Sequence, residues 1–168
     1  MISTNRPKID VPKEPIDLII DLSSATILIL IIVYTLIVYP ELRETIPIHF
    51  DGSGQADGFG DKSTLWLLPG IAIVLFLGLF ILNRYPHLHN YMVNITPENA
   101  LKNYTFSTRV LRIVNLLCAI LFAFIQYKMI AGAQEKAAEL GSWFLPIVIG
   151  TSVLLPIILI YYQNKLNK

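Results

Sequence analysis

Residues 46–62 read IPIHFDGSGQADGFGDK, a polar, glycine-rich island between two strongly apolar runs. Ile46, Ile48 and Phe50 alternate with Pro47, His49 and Asp51, the period of a strand exposed on one face. Gly52, Ser53 and Gly54 come next, and the glycines can take the positive backbone angles that a reversal needs. Gly58 and Gly60 around Phe59 make a second tight passage. The pattern predicts a small hairpin or compact loop packed on the ends of the helices that flank it.

Those flanks have the composition of membrane spans. Residues 18–39, LIIDLSSATILILIIVYTLIVY, would cover about 33 Å as a helix, enough for a hydrocarbon core of about 30 Å. Val38, Tyr39, Pro40 and Glu41 stand where a cleaved signal peptide would carry small residues, so the segment is expected to stay in the mature protein. Residues 64–82 form a second run, opened by Ser63 or Thr64 as a cap, and the Pro69–Gly70 pair is expected to kink it. Thr96, Pro97 and Glu98 read as a helix start that leads into a third span, residues 110–131. A linker with Glu135, Lys136 and Glu139 precedes the fourth span, residues 143–162, whose Trp143, Tyr161 and Tyr162 suit the headgroup layers. Residues 1–17, with prolines at 7, 12 and 15, read as a flexible cytoplasmic tail. The expected fold is an all-α integral membrane protein: four transmembrane helices and a short extracytoplasmic β-hairpin-like loop, with residues 18–168 as one transmembrane domain.

Composition agrees. Of 168 residues, 54% are hydrophobic and 15% charged, with a mean hydropathy of +0.59, well above a typical soluble domain. A net charge of +1, with its basic residues scattered near segment ends, argues against nucleic acid as a partner. The lone Cys118 lies inside an apolar run, which removes an internal disulfide or a CxxC site. Arg6, Lys8, Lys13, Arg84, Lys102, Arg109, Arg112, Lys165 and Lys168 fall on the side of the termini and the middle connection. Only Arg43, Lys62, Lys128 and Lys136 fall on the other. The positive-inside rule therefore puts both termini in the cytoplasm and the island on the other side.

His49, Asp51, Asp57 and Asp61 have the chemistry of metal ligands, but their spacing matches no fixed motif. As a calcium loop, Ala56 replaces the needed glycine and Lys62 the closing glutamate. The simpler expectation is that the aspartates cap turns and helix ends while His49 bonds a carboxylate or carbonyl in the loop. No HExxH or GxSxG occurs, so no catalytic residue, metal or cofactor is assigned. His49, Phe50, Asp51, Asp57, Phe59 and Lys62 are the candidate recognition residues. Asp21 is expected to pair with Arg109 or Arg112 at the membrane edge.

Ile46, Pro47, His49, Phe50, Gly54, Asp57, Phe59 and Lys62 closely resemble the hallmark of a bacterial family of uncharacterised membrane domains, and ITPENALKNY at 95–104 resembles its segment before the third helix. The resemblance extends over about residues 27–131, although Asp51 stands where Asn is usual and Phe59 where Trp or Tyr is usual. The same domain is similar to the N-terminal part of the SdpI-type immunity proteins. That resemblance implies a place in a bacterial inner membrane, a peptide toxin or membrane-protein partner, and an immunity or sensing role in which the outer loop binds. The alternatives are a small transporter or accessory subunit and, further off, a metal-dependent membrane enzyme. Besides the lipid bilayer, a homo-oligomer is a further expected partner, since four short helices bury little.

Overall fold

The computed structural model describes residues 6–134 and 139–167. Its order is α1 (Pro15–Val38), β1 (Thr45–Phe50), β2 (Ala56–Asp61), α2 (Leu67–Leu82), α3 (Ala100–Ala133) and α4 (Phe144–Leu166). A 3-10 turn, Tyr39–Glu41, ends α1, and a second, Lys62–Trp66, feeds α2. All four helices, with the turns that extend α1 and α2, are long and apolar enough to cross a membrane. The antiparallel pair of β1 and β2 is the hairpin predicted at the island. Glu135 and Lys136 of the third connection lie outside the described residues.

Helix α3 is the axis of the bundle. At 34 residues it is about 50 Å long, more than a bilayer core needs, so part of it stands beyond the hydrocarbon. It starts from a turn in which the Thr96 carbonyl accepts the Ala100 N–H (2.9 Å) and Asn99 Oδ1 accepts the Thr96 N–H (2.9 Å). In mid-bundle Ala72 and Ala119 are buried with Leu28, the small residues letting α1, α2 and α3 approach closely. Polar side chains then join the backbones: Asn115 donates to the Phe76 carbonyl (3.3 Å), and Gln126 to Thr35 Oγ1 (3.2 Å) and the Leu65 carbonyl (3.1 Å).

At the end of the bundle away from the hairpin, ion pairs join α1 to α3. Arg112 Nε lies 3.3 Å from Asp21, and Arg109 reaches Asp17 (3.0 Å) and Glu14 (2.9 Å). Asp21 thus takes the second of its two expected partners. Residues 6–14, expected as a flexible tail, are packed here. Arg6 donates to the carbonyls of His87 and His89, Tyr104 donates to the Pro7 carbonyl, and Val11 sits against Tyr91, Ile95 and Tyr104. Burial pushes the Tyr91 phenol up to about 12, so it stays protonated and donates to the Pro86 carbonyl (2.8 Å).

One expectation about α2 changes. Asp61, rather than Ser63 or Thr64, caps the segment, accepting the Ser63 N–H at 2.7 Å. Pro69 lies in the first turn of α2. With no N–H at position 69, the Leu65 carbonyl four residues back is free and accepts Gln126 Nε2 of α3 (3.1 Å), so Pro69 marks the join of the 3-10 turn to the helix.

Helix α4 stands apart. None of its residues is buried. Near its start Trp143 and Phe144 pack on Phe124 of α3, with ring centroids 5.5 and 5.6 Å away. At its end Asn167 and Asn103 exchange two amide hydrogen bonds of 2.9 Å, and Lys102 donates to the Leu166 carbonyl (2.8 Å). Between these attachments an apolar cleft of about 570 Å³ separates α3 from α4, with Leu117, Leu121 and Val148 among its lining residues.

Candidate functional site

The hairpin is irregular in a way the alternating pattern does not foresee. Thr45, Ile46 and Pro47 pair with Asp61, Gly60 and Phe59; His49 then pairs with Gly58, and Phe50 with Ala56. Ile48 is therefore an extra residue on β1 and Asp57 an extra residue on β2, two β-bulges that offset each other. Side-chain alternation breaks at the first. Ile46 and Pro47 are both buried, whereas Ile48 is exposed, correcting the expectation that it shares a face with Ile46.

The bulges bring His49 and Asp57 together: Nδ1 of the ring lies 2.5 Å from Asp57 Oδ1, so the imidazole donates to the carboxylate. Gly58 makes the approach feasible, because a Cβ there would meet His49 Cβ at 2.8 Å. Both partners are solvent-facing, at 70% and 47% side-chain exposure, so the pair orients the ring more than it stabilises the fold.

The tip is tightly built. Asp51 Oδ1 accepts from Ser53 N (2.8 Å), Ser53 Oγ (2.7 Å) and Gln55 N (2.9 Å). These bonds hold the Asp51 carboxyl below its ordinary range, the Ser53 side chain contributing most. Gly54 has φ +84° and is buried, its Cα so near Gly141 that a Cβ would stand 2.7 Å from the Gly141 carbonyl oxygen. Leu140 N–H donates to the Gly54 carbonyl (2.7 Å), and Gln55 Nε2 to Glu139 (2.7 Å). The tip is thereby docked on the chain that enters α4.

The base is equally fixed. Lys62 pairs with Glu44 (2.9 Å) and lies over the Tyr39 ring (5.4 Å), joining the end of α1 to the hairpin. Phe50 is half-buried and packs on the cluster of Leu42, Ile46, Leu65, Met129, Ile130 and Ala133. Of the six candidates, then, His49 and Asp57 lie side by side and Phe59, at 60% exposure, projects away from the body of the protein. Phe50 and Lys62 face the body of the protein, and Asp51 braces the turn. Asp51 and Asp61 cap turns, and no group of three or more His, Cys, Asp or Glu among the described residues is placed to hold a metal ion. Sequence reading missed the docking partners Gln55, Glu139, Leu140 and Gly141. The available signal was Gly141, an isolated glycine just before a span, which has φ +89°.

Fold and site define a multi-pass membrane protein that carries a braced hairpin between its first two spans. Residues 26–73, from within α1 through the hairpin to the start of α2, match the family described as a domain of unknown function, DUF1648. The match spans residues 46–62 and stops before residues 95–104. An uncharacterised protein of Archaeoglobus fulgidus is 38% identical over 65 residues, 34% of this chain. The chain spans about a third of that relative's length, 36%. No solved structure matches.

Proposed function

We propose that the protein is a binding module whose outer hairpin recognises a peptide or another membrane protein, in a sensing or toxin-immunity role. The observation that carries this reading is the outward face of the hairpin. Ile48 (42% exposed) and Phe59 (60% exposed) stand on the same small sheet as the His49–Asp57 pair. Exposed apolar side chains beside an oriented polar pair are what a partner can bury and read. The bracing at Asp51, Gly54 and Lys62 supports the same reading, because a preformed surface loses little conformational entropy on binding. The basic-residue asymmetry turns this face away from the cytoplasm.

The test is a challenge of bacterial cells producing the protein with a membrane-active peptide toxin. Phe59→Ser and His49→Ala are expected to abolish protection while the protein remains in the membrane at normal amount. A photo-reactive residue at position 59 should also cross-link to the labelled toxin. If both variants protect fully and no cross-link forms, the recognition role of this face is wrong.

A further inference from the structure

A second concave site lies at the opposite end of the bundle. A pocket of about 310 Å³ is framed by the segment before α1, the end of α2 and the start of α3. Its charged lining comprises Lys13, Arg84 and Arg112 against Asp10 and Asp21. Arg112 is occupied by Asp21. Lys13 and Arg84 are different: both are exposed, neither makes an ion pair among the described residues, and both converge on one ring. Lys13 Nζ lies 5.8 Å, and the Arg84 guanidinium carbon 5.3 Å, from the centroid of Phe80. The electron-rich ring attracts each cation, so Phe80 is a shared anchor for both side chains on the wall of this pocket.

We propose that this pocket binds a phosphate-bearing anion between Lys13 and Arg84, and that its source is the headgroup of an anionic phospholipid. Arg84 supplies planar donors suited to phosphate oxygens and Lys13 a point charge. The lipid source follows from position. Beside Phe80, α2 exposes Ile81 (53%) and, one turn further from the helix end, Leu77 (48%), an apolar strip along which acyl chains lie when the phosphate sits at that end. Asp10 opposes the anion and limits its affinity.

The experiment is native mass spectrometry of the detergent-purified full chain titrated with phosphatidylglycerol or phosphatidylcholine, with a parallel calorimetric titration of inorganic phosphate. Phosphatidylglycerol should bind in preference to phosphatidylcholine. Lys13→Gln and Arg84→Gln should each weaken it about fivefold and the double variant about thirtyfold, as expected for roughly one interfacial charge each. Asp10→Asn should tighten it about fivefold. The double variant removes no ion pair, and Lys13→Arg with Arg84→Lys should keep the preference. Charge-dependent binding of inorganic phosphate without a lipid preference would uphold the anion site and reject the lipid source. Equal binding of both lipids with no phosphate binding, or affinities unmoved by the variants, would overturn the site.

Discussion

The ion pair between Asp21 and Arg112 offers the sharpest test of how α1 is held to α3. Their side chains are 14% and 7% exposed, with Nε to Oδ2 at 3.3 Å, and Asp17 stands 3.9 Å from the same guanidinium. Removing one partner of a buried pair strands the other and costs about 3–5 kcal/mol in soluble proteins. Partial exposure of Asp21 and alternative partners in the lipid-embedded unfolded state reduce this, so Arg112→Gln is expected to cost about 3 kcal/mol. Asp21→Asn should cost about 2 kcal/mol, because Arg112 keeps Asp17 nearby. The double variant strands no charge at position 21 and should be no worse than Arg112→Gln alone, giving a coupling of about 2 kcal/mol. Exchanging the two charges should rescue only in part, since a carboxylate at position 112 would face Asp17. The assay is denaturant unfolding in detergent micelles followed by tryptophan fluorescence. The same cycle on the exposed pair of His49 and Asp57 should give under about 1 kcal/mol. A coupling below about 0.5 kcal/mol for Asp21 and Arg112 would refute the reasoning.

Three more outcomes are expected. Gly54→Ala should destabilise by more than the roughly 1–2 kcal/mol of a left-handed backbone alone, because the new Cβ meets Gly141 backbone; the shift would be read as a lowered melting temperature. His89 is held below the ordinary imidazole value of 6.5, burial being the main cause. The unfolded chain therefore takes up its proton first as pH falls. Stability contributed by this site is whole above about 6.5, declines below it and levels off under the folded-state value, a trend that melting curves between pH 5 and 8 should show and His89→Asn should remove. Finally, Ser53→Cys in a Cys118→Ala background should react with a membrane-impermeant maleimide in intact cells, whereas Asn90→Cys should react only after lysis; the reverse pattern would invert the topology.

Much of this architecture is legible in the residues because lipid leaves few alternatives. An apolar run of some 20 residues must be a helix, and a charge such as Asp21 inside one must find Arg109 or Arg112. What sequence hides is local. Strand alternation assumes regular pairing, and nothing in the letters around Ile48 announces an extra residue. The apolar run from residue 64 reads as one helix, and nothing in it shows that residues 62–66 form a 3-10 turn with Pro69 in the first turn of the α-helix that follows. The loop residues concentrate suitable chemistry, but their division into outward His49, Asp57 and Phe59 and inward Phe50 and Lys62 depends on those bulges and on Glu44 and Tyr39. Contact between Gly54 and Gly141 joins residues far apart in the chain, which no local pattern encodes.

The paired bulges also dictate which lengths of this segment are permissible. The register at the base, Thr45 to Pro47 against Asp61 to Phe59, is the same as that of Phe50 with Ala56 near the tip, because each strand carries one surplus residue. Losing either residue alone shifts one half of the hairpin by a step and turns Ile46 or Phe50 toward the wrong side. Losing both together leaves every other pairing intact, and the product is a plain two-stranded ribbon without the His49–Asp57 contact. Length variation in proteins built on this plan should therefore occur in matched pairs across the turn, and the shorter version would fold while presenting a different face.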